Sequence, residues 1–255
     1  MSTELFSDSH CHFGDEPLRS SAEDVYRRAL ENGVRRFMIP EVDPSDERFI
    51  EGFASTHEGV FRAFGIHPWA ASEWDGKEFS PSSVSRSVKA IGECGLDRLH
   101  TSDFELETRL FEAQIALAES LHLPLLVHSL RANNEVMRVL KRHHARGVIH
   151  GFSGSFEEAM AFISLGFFLG AGGVITYQRA QKTRRTFARI PLGSILLETD
   201  SPAMPLSGFQ GEANMPERVP IVAKCLAELR GISVQEVSDA TERNFSFLFL
   251  SGEGS

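Results

Sequence analysis

The sequence lacks several features that mark other classes of protein. Its three cysteines, Cys11, Cys94 and Cys225, are odd in number, widely spaced and without a C-x-x-C pair, which disfavours a disulfide framework and indicates a reducing compartment. The amino terminus has neither the basic region nor the apolar stretch of a signal peptide. No apolar run approaches the roughly 18 residues that cross a membrane. We therefore expect a cytoplasmic protein that does not associate with membranes.

Positive charge is also scarce. Lys and Arg number 26 against 35 Asp and Glu, which gives a formal net charge of −9. Such a chain does not bind nucleic acid through a broad basic surface, so contact with phosphates requires a local basic patch or bound metal. A compact phosphate-bearing end is easier to accommodate than a long duplex.

Short apolar segments alternate with segments of helical spacing along the 255 residues. The apolar segments are 4–12, 35–42, 60–68, 88–96, 124–129, 147–154, 167–175 and 194–202. Helical patterns cover 21–33, 103–123, 155–166, 215–231 and 233–249. This α/β alternation predicts a (β/α)8 TIM-type barrel, and the absence of G-x-G-x-x-G after the first strand disfavours a dinucleotide-binding open sheet. With no linker in the sequence, we expect one domain over 1–250 and a flexible tail over 251–255.

Ionisable residues recur where the predicted strands end, which is where barrels of this kind carry their chemistry. They are Asp8, His10 and His12 after the first strand, then Glu41, His67, Glu93, His128 and His150, and finally Glu198 and Asp200 after the eighth. One such histidine is ordinarily a core or surface residue, and an acid there can cap a helix. So many at the same end of several strands predict a convergent site. The other histidines, at 57, 100, 122, 143 and 144, are placed as chance would place them.

Imidazole nitrogens and carboxylate oxygens are ligands for divalent metals. His10 and His12 share one face of a strand, and Cys11 between them points away. Six ligands exceed what one catalytic ion takes with a water position left open, so two ions about 3.5–4 Å apart fit better. In that arrangement Glu93 bridges the ions. The ligands of one ion are His10, His12 and Asp200, and those of the other are His128 and His150; Mg²⁺, Mn²⁺ and Zn²⁺ all remain open.

Several short motifs together resemble the TatD family of metal-dependent hydrolases, within the amidohydrolase-like barrels. They are "DSHCH" (8–12), "GIHP" (65–68), "IGECGLD" (91–97), "LVHS" (126–129), "HGFSG" (150–154), "ETDSP" (198–202), the N-x-P at 214–216 and the late Asn244. The resemblance implies one or two divalent cations at the barrel mouth, held by His10, His12, Glu93, His128, His150 and Asp200. It also implies nuclease activity on DNA, often at an end, although some relatives hydrolyse other bonds, including the ester of misacylated tRNA.

The sequence departs from the family after the fifth strand, where the usual Arg is replaced by Leu130 and followed by Arg131. Besides Arg131, the candidate substrate contacts are His67, whose alternative is a structural histidine before Pro68, and Tyr177 and Arg179. Arg179 begins a basic series with Lys182, Arg185 and Arg189 on one helix face, for which the ordinary explanation is a solvated outer helix.

Three functions are compatible with this pattern. The first is a phosphodiesterase that hydrolyses nucleic acid, single-stranded or terminal, with a metal-activated water and with Asp200 and Glu93 as catalytic residues. The second is an ester or amide hydrolase acting on aminoacyl-tRNA or a small molecule. The third is a non-enzymatic module, against which the complete ligand set argues. None of the three implies an obligate protein partner.

Overall fold

The computed structural model describes residues 4–42, 47–77, 79–100 and 103–251. Eight parallel strands pair in chain order within one sheet: β1 Phe6–Asp8, β2 Val34–Pro40, β3 Val60–Phe64, β4 Val88–Asp97, β5 Leu125–Leu130, β6 Gly147–Ile149, β7 Phe167–Ala171 and β8 Ile195–Leu197. The first and last strands also meet, since the Ser9 amide donates to the Leu197 carbonyl and the Asp200 amide donates to the His10 carbonyl, both at 2.9 Å. The chain is therefore a closed (β/α)8 barrel, which confirms the predicted fold.

Eight α-helices accompany the strands: α1 Ala22–Glu31, α2 Glu47–Thr56, α3 Phe104–Leu121, α4 Asn133–Leu140, α5 Phe156–Ser164, α6 Gln181–Arg189, α7 Val219–Arg230 and α8 Val234–Phe245. The alternation differs from the predicted rhythm in one place. Between β3 and β4 the described residues form only short 3₁₀ turns, Pro68–Glu73 and Pro81–Ser83, each begun by a proline. Two helices follow β8 instead.

Local side-chain contacts fix several helix boundaries. Ser155 and Ser233 each begin a helix in a capping box with the glutamate three residues later. Asp103 caps α3 by accepting from the Leu106 amide at 2.9 Å. Ser21 directly precedes α1, but its hydroxyl donates to the Pro17 carbonyl at 2.9 Å and makes no capping bond.

Two apolar layers result from the alternation of side chains along the strands. One lies between the strands and the helices and includes Leu125 and Val127. The other lies inside the barrel, where Leu126 packs with the corresponding residues of neighbouring strands and with Phe245, Leu248 and Phe249 after β8. On the side where Phe245, Leu248 and Phe249 pack, the barrel interior is thus filled with apolar side chains. The predicted ligands lie beyond this layer, at the carboxyl ends of the strands.

Two other predictions concern the chain as a whole. No helix in the described ranges is both long and apolar enough to cross a bilayer. The expected flexible tail over 251–255 lies outside the described residues from 252 onward. We infer from the single sheet that 1–250 form one domain.

Candidate metal centre

Glu93 lies at the centre of the predicted ligands. Its Oε2 atom is 3.0 Å from His10 Nε2 and 3.5 Å from His12 Nε2. Its Oε1 atom is 2.8 Å from His150 Nε2 and 3.0 Å from His128 Nδ1. The two oxygens of one buried carboxylate thus face different histidines.

Asp200 lies beside His10 and His12, the two ligands that follow β1. Its Oδ1 atom is 3.3 Å from His12 Nε2 and 3.7 Å from His10 Nε2. Its backbone φ is +57°, a left-handed conformation that aspartate tolerates better than most residues. The structure therefore brings all six predicted ligands together, although their assignment to two ions stays a prediction.

Side-chain alternation explains how the strands deliver these groups. Leu126 of β5 faces the barrel interior, so His128 two residues later faces it as well. The same relation joins Val148 to His150 in the sixth strand, and Cys11 between the two first-strand histidines packs in the outer layer. His128 and His150 thus continue an inward-facing series beyond the apolar layer.

Simple alternation along β4 does not explain why Glu93 faces the barrel interior. Ala90 faces the interior, so simple alternation would turn residue 93 outward. The register between β4 and β5 shifts between Ile91 and Cys94, which leaves one extra residue in β4 as a β-bulge. The bulge restores Glu93 to the interior and Cys94 to the outer layer.

Gly95 lets β4 pass close to β5 beside the bulge. Its φ is +135°, and a Cβ built on it would overlap the carbonyl oxygen of His128. Glycine is therefore required at this point, next to the backbone of a predicted ligand.

Asp8 fixes the two chain segments that carry His10 and Asp200. Its Oδ1 atom accepts from the Thr199 amide at 3.0 Å and from the His10 amide at 3.2 Å, and its Oδ2 atom accepts from the Thr199 hydroxyl at 2.6 Å. The carboxyl is fully buried. Asp8 is thus a connector between β1 and β8, not a ligand.

The donor chemistry of the centre fits divalent cations. Among the described residues there are three sets in which the donor atoms of each set lie within 4.8 Å of one another. They are His10, His12 and Glu93; His10, His150 and Asp200; and His67, Glu93 and His128. Neutral imidazole and carboxylate are ligands of zinc and manganese, and a carboxylate can bridge two ions. These residues can therefore hold metal.

Mutual charge interactions shift the pKa values in the centre. Burial opposes ionisation of Glu93, but the surrounding histidines outweigh it and hold its pKa well below the usual range. Burial would lower the pKa of His12, yet the hydrogen bond to Asp200 and the charge of Glu93 raise it to about 9. Burial and the charge of His150 lower the pKa of His10 to about 4. Glu93 is thus ionised as a ligand must be, and binding of metal displaces the proton of His12.

His67 lies in the centre as well. Its Nε2 atom is 3.2 Å from Glu93 Oε1, and its Nδ1 atom accepts from the Trp69 amide at 3.1 Å. Because Nδ1 is the acceptor, the proton of the neutral ring is on Nε2 and points into the centre. His67 therefore offers a hydrogen-bond donor there.

Asp97 is a residue that the sequence reasoning missed. Its Oδ2 atom accepts from the indole Nε1 of Trp69 at 2.6 Å, from His100 Nδ1 at 2.9 Å and from His128 Nε2 at 3.2 Å. Since the Nε2 proton of His128 is directed at Asp97, its Nδ1 is left to face Glu93. The position of Asp97 at the end of the "IGECGLD" motif was the available signal, and His100, which the sequence placed as chance would, contacts the same oxygen.

Three of the four predicted substrate contacts lie away from the ligands. The cavity beside the ligands has a volume of about 140 Å³ and its lining includes Asp15, His67, Trp69 and Ala203, but not Tyr177, Arg179 or Arg131. The Tyr177 hydroxyl donates to the Pro205 carbonyl at 2.6 Å, and the Arg179 guanidinium lies 4.7 Å from the Tyr177 ring centre. Arg131 is exposed after Leu130, at the end of β5. Any contact of these three residues with substrate stays a prediction.

Comparison with known proteins places the chain in one family. Residues 7–250 match the TatD related DNase family. The uncharacterized metal-dependent hydrolase YjjV of Escherichia coli K12 is 38% identical over 252 residues, which cover 96% of this chain and 97% of YjjV. The uncharacterized metal-dependent hydrolase YabD of Bacillus subtilis is 32% identical over 253 residues, which cover 96% of this chain and 99% of YabD.

Solved structures agree with the sequence comparisons. The crystal structure of YjjV, described as a TatD homologue, superposes with a TM-score of 0.90 at 37% identity and covers 97% of this chain and 98% of that one. A TatD family hydrolase from Entamoeba histolytica has a TM-score of 0.84 at 19% identity, covers 97% and 98% of the two chains, and supports the fold alone. The chain therefore belongs to the TatD family of metal-dependent hydrolases.

Proposed function

We propose that this hydrolase is a phosphodiesterase that cleaves single-stranded or terminal nucleic acid. The observation that carries the proposal is the division of Glu93 between two pairs of histidines, with Oε2 facing His10 and His12 and Oε1 facing His128 and His150. Two-cation sites bridged by a carboxylate are used by nucleases and phosphatases. The name of the matching family, TatD related DNase, supports the same substrate class.

The ligand set divides around Glu93 in this proposal. His10, His12 and Asp200 would hold one divalent cation, His128 and His150 would hold the other, and Glu93 would supply an oxygen to each. When bound, such ions lower the pKa of a water molecule to near neutrality and neutralise charge that develops on the phosphoryl oxygens.

The protein side chains contribute positioning and proton transfer. Asp200, whose pKa is lowered by the hydrogen bond to His12 and by the neighbouring histidines despite its burial, is ionised and accepts the proton of the attacking water as general base. The His67 Nε2–H donates to a non-bridging oxygen of the substrate.

The small cavity favours a chain end over a continuous strand. Its volume of about 140 Å³ is far below the several hundred Å³ of a drug-sized ligand site. No Lys or Arg of the described residues lines it. We infer that one phosphodiester enters, and that little of the backbone on either side is held by charge.

The decisive experiment is metal analysis followed by reconstitution. We expect the metal-depleted chain to be inactive on end-labelled single-stranded DNA and to recover activity with Mg²⁺, Mn²⁺ or Zn²⁺. Asp200→Asn should lower turnover by a factor of about 10²–10⁴ without altering the far-ultraviolet circular dichroism spectrum. Hydrolysis that persists in the metal-depleted chain, or near-full activity of Asp200→Asn, would contradict the proposal.

A specific observation favours a second candidate, an ester or amide hydrolase acting on aminoacyl-tRNA or a small molecule. The cavity lining contains the acidic Asp15 and lacks Lys and Arg among the described residues, a lining that suits a less charged reacting group. Parallel assays on an oligonucleotide and on an aminoacyl ester distinguish the two. A kcat/KM that is higher on the ester would replace the first proposal with this one. The expected cytoplasmic location stays a prediction.

A further inference from the structure

A large aromatic side chain is exposed beside the metal centre. Trp69 follows β3 directly after His67 and Pro68, and 58% of its surface is accessible to solvent. It lines the same cavity as Glu93 and His128. Tryptophan is usually well buried, so an exposed one at the edge of a reaction site suggests contact with a ligand.

The indole is exposed but held in one orientation. Its Nε1–H donates to Asp97 Oδ2 at 2.6 Å, and its backbone amide donates to His67 Nδ1 at 3.1 Å. The ring meets that of His67 edge-on with centres 4.7 Å apart, and that of His100 with centres 5.1 Å apart. Since the chain already uses the polar atom of the indole, the ring face is the part left to interact with a ligand.

The surface that follows β4, beside Trp69, also exposes an apolar and an aromatic side chain. Leu99 is 47% exposed, and the His100 side chain is 55% exposed. Both follow β4, whose last residue Asp97 also binds the indole. Apolar and aromatic surface therefore continues outward from the cavity on the side of β3 and β4.

We propose that Trp69, with His100 at its edge, is a stacking platform for the base of the nucleotide whose phosphodiester lies at the metal centre. The inference rests on the proposed nuclease function. Aromatic side chains bind bases of single-stranded nucleic acid without regard to sequence, because every base has a π-face. Stacking also supplies affinity where the cavity lining of the described residues offers no Lys or Arg.

The spacing suits one nucleotide. The ring centres of Trp69 and His128 are 6.3 Å apart, and His128 Nδ1 faces the bridging carboxylate. A base is separated from its own phosphate by the sugar, so a base on Trp69 leaves the phosphate at the level of the ligands. The platform therefore selects a nucleotide with a base and does not select among bases.

Tryptophan fluorescence gives a test that does not depend on turnover. The chain has two tryptophans, Trp69 and Trp74, and the indole of Trp74 is bound to the Lys77 carbonyl outside the cavity lining. In Trp74→Phe, the metal-loaded chain reports only on Trp69. It is titrated with a phosphorothioate single-stranded oligonucleotide and with two versions that lack the base at the 5′ or the 3′ terminal nucleotide.

We expect the complete oligonucleotide to quench Trp69 and one of the two abasic versions to bind about tenfold more weakly, without quenching. By fluorescence anisotropy of a labelled oligonucleotide, Trp69→Ala should lose about tenfold in affinity for the complete strand and nothing for that abasic strand. Trp69→Phe should retain most of the discrimination because a phenyl ring still stacks.

The outcomes separate this inference from the function on which it rests. If the wild-type chain cleaves DNA but Trp69→Ala weakens the complete strand and both abasic strands equally, the platform is wrong and the nuclease function stands. If the wild-type chain neither binds nor cleaves the oligonucleotide, both are wrong.

Discussion

The carboxylate of Asp97 joins three aromatic groups at one oxygen, and one of them is a predicted metal ligand. The hydrogen bond from His128 Nε2 fixes the ring so that Nδ1 faces Glu93. Carboxylates in this position orient the ligand and raise its basicity, and their loss typically weakens metal binding 10–100-fold. Asp97 is therefore a positioning residue whose effect should appear in affinity for metal.

Asp97→Asn tests that role. We expect the affinity for Mn²⁺ or Zn²⁺, measured by isothermal titration calorimetry, to fall by about 10–100-fold, because the amide no longer offers a charged acceptor to the His128 proton. Glu135→Gln is a matched control, since Glu135 pairs with Arg98 and does not touch the predicted ligands. Equal affinities in Asp97→Asn and the control would show that Asp97 does not support the centre.

Among single residues, the sequence indicated the ligands that directly follow predicted strands. It missed the residues whose role depends on contacts with side chains from other segments. His10, His12, Glu93, His128, His150 and Asp200 follow apolar segments, so alternation and barrel topology suffice to bring them together. Asp97, Trp69 and His100 become neighbours only through the path of the 3₁₀ turns after β3 and the loop after β4. Neither path has a periodic pattern from which it could be predicted.

At the scale of elements, the bulge in β4 determines which way Glu93 points. The strand keeps its pairing with β5 only because Gly95 allows close approach to the backbone of His128. A side chain at that position must displace the backbone that carries a predicted ligand.

Gly95→Ala should therefore disturb both stability and the metal centre. We expect a loss of about 1–3 kcal/mol in the free energy of unfolding, from the strained φ of +135° and the overlap with the His128 carbonyl, together with weaker metal binding. Urea unfolding and calorimetry measure the two effects. Gly193→Ala is the control, because its Cβ meets nothing within 4 Å and its φ is not in the positive range; a comparable loss there would refute the explanation.

The elements themselves were predictable to different degrees. Helices with clear capping and stop residues, such as α3, α5 and α8, lie within two or three residues of their expected starts. The short helices α2 and α4 were not identified, since tertiary contacts support helices of 8 to 10 residues more than their own sequences do. Among the described residues between β3 and β4, the lack of an α-helix also escaped prediction, although Pro68 and Pro81 begin the 3₁₀ turns found there.

For the molecule as a whole, closure of the barrel and formation of the centre depend on the same contacts. Asp8 ties β1 to the segment after β8 through Thr199, and His10 and Asp200 flank those contacts. The fold was predictable because strands and helices alternate along the whole chain. The contact of Asp8 with Thr199 was not predictable, because in the sequence Asp8 is one of several acidic residues at strand ends.

Asp8→Ala should destabilise the whole barrel. Its removal takes the acceptor from the buried amides of Thr199 and His10, for which we expect a loss of about 2–4 kcal/mol in the free energy of unfolding. Asp75→Ala, which removes an exposed partner of Lys77, should leave the urea midpoint almost unchanged because solvent screens such pairs. Similar urea midpoints for the two variants would show that Asp8 does not close the barrel.

The number of metal ions bound per chain tests whether the centre holds two ions that share Glu93. After equilibrium dialysis against Mn²⁺ or Zn²⁺, elemental analysis of the wild-type chain should give two ions per chain, and Glu93→Gln, with an unchanged circular dichroism spectrum, should give at most one. This difference is expected because the two oxygens of Glu93 face different histidines, Oε2 facing His10 and His12 and Oε1 facing His128 and His150. One ion per wild-type chain at saturation, or two in Glu93→Gln, would contradict it.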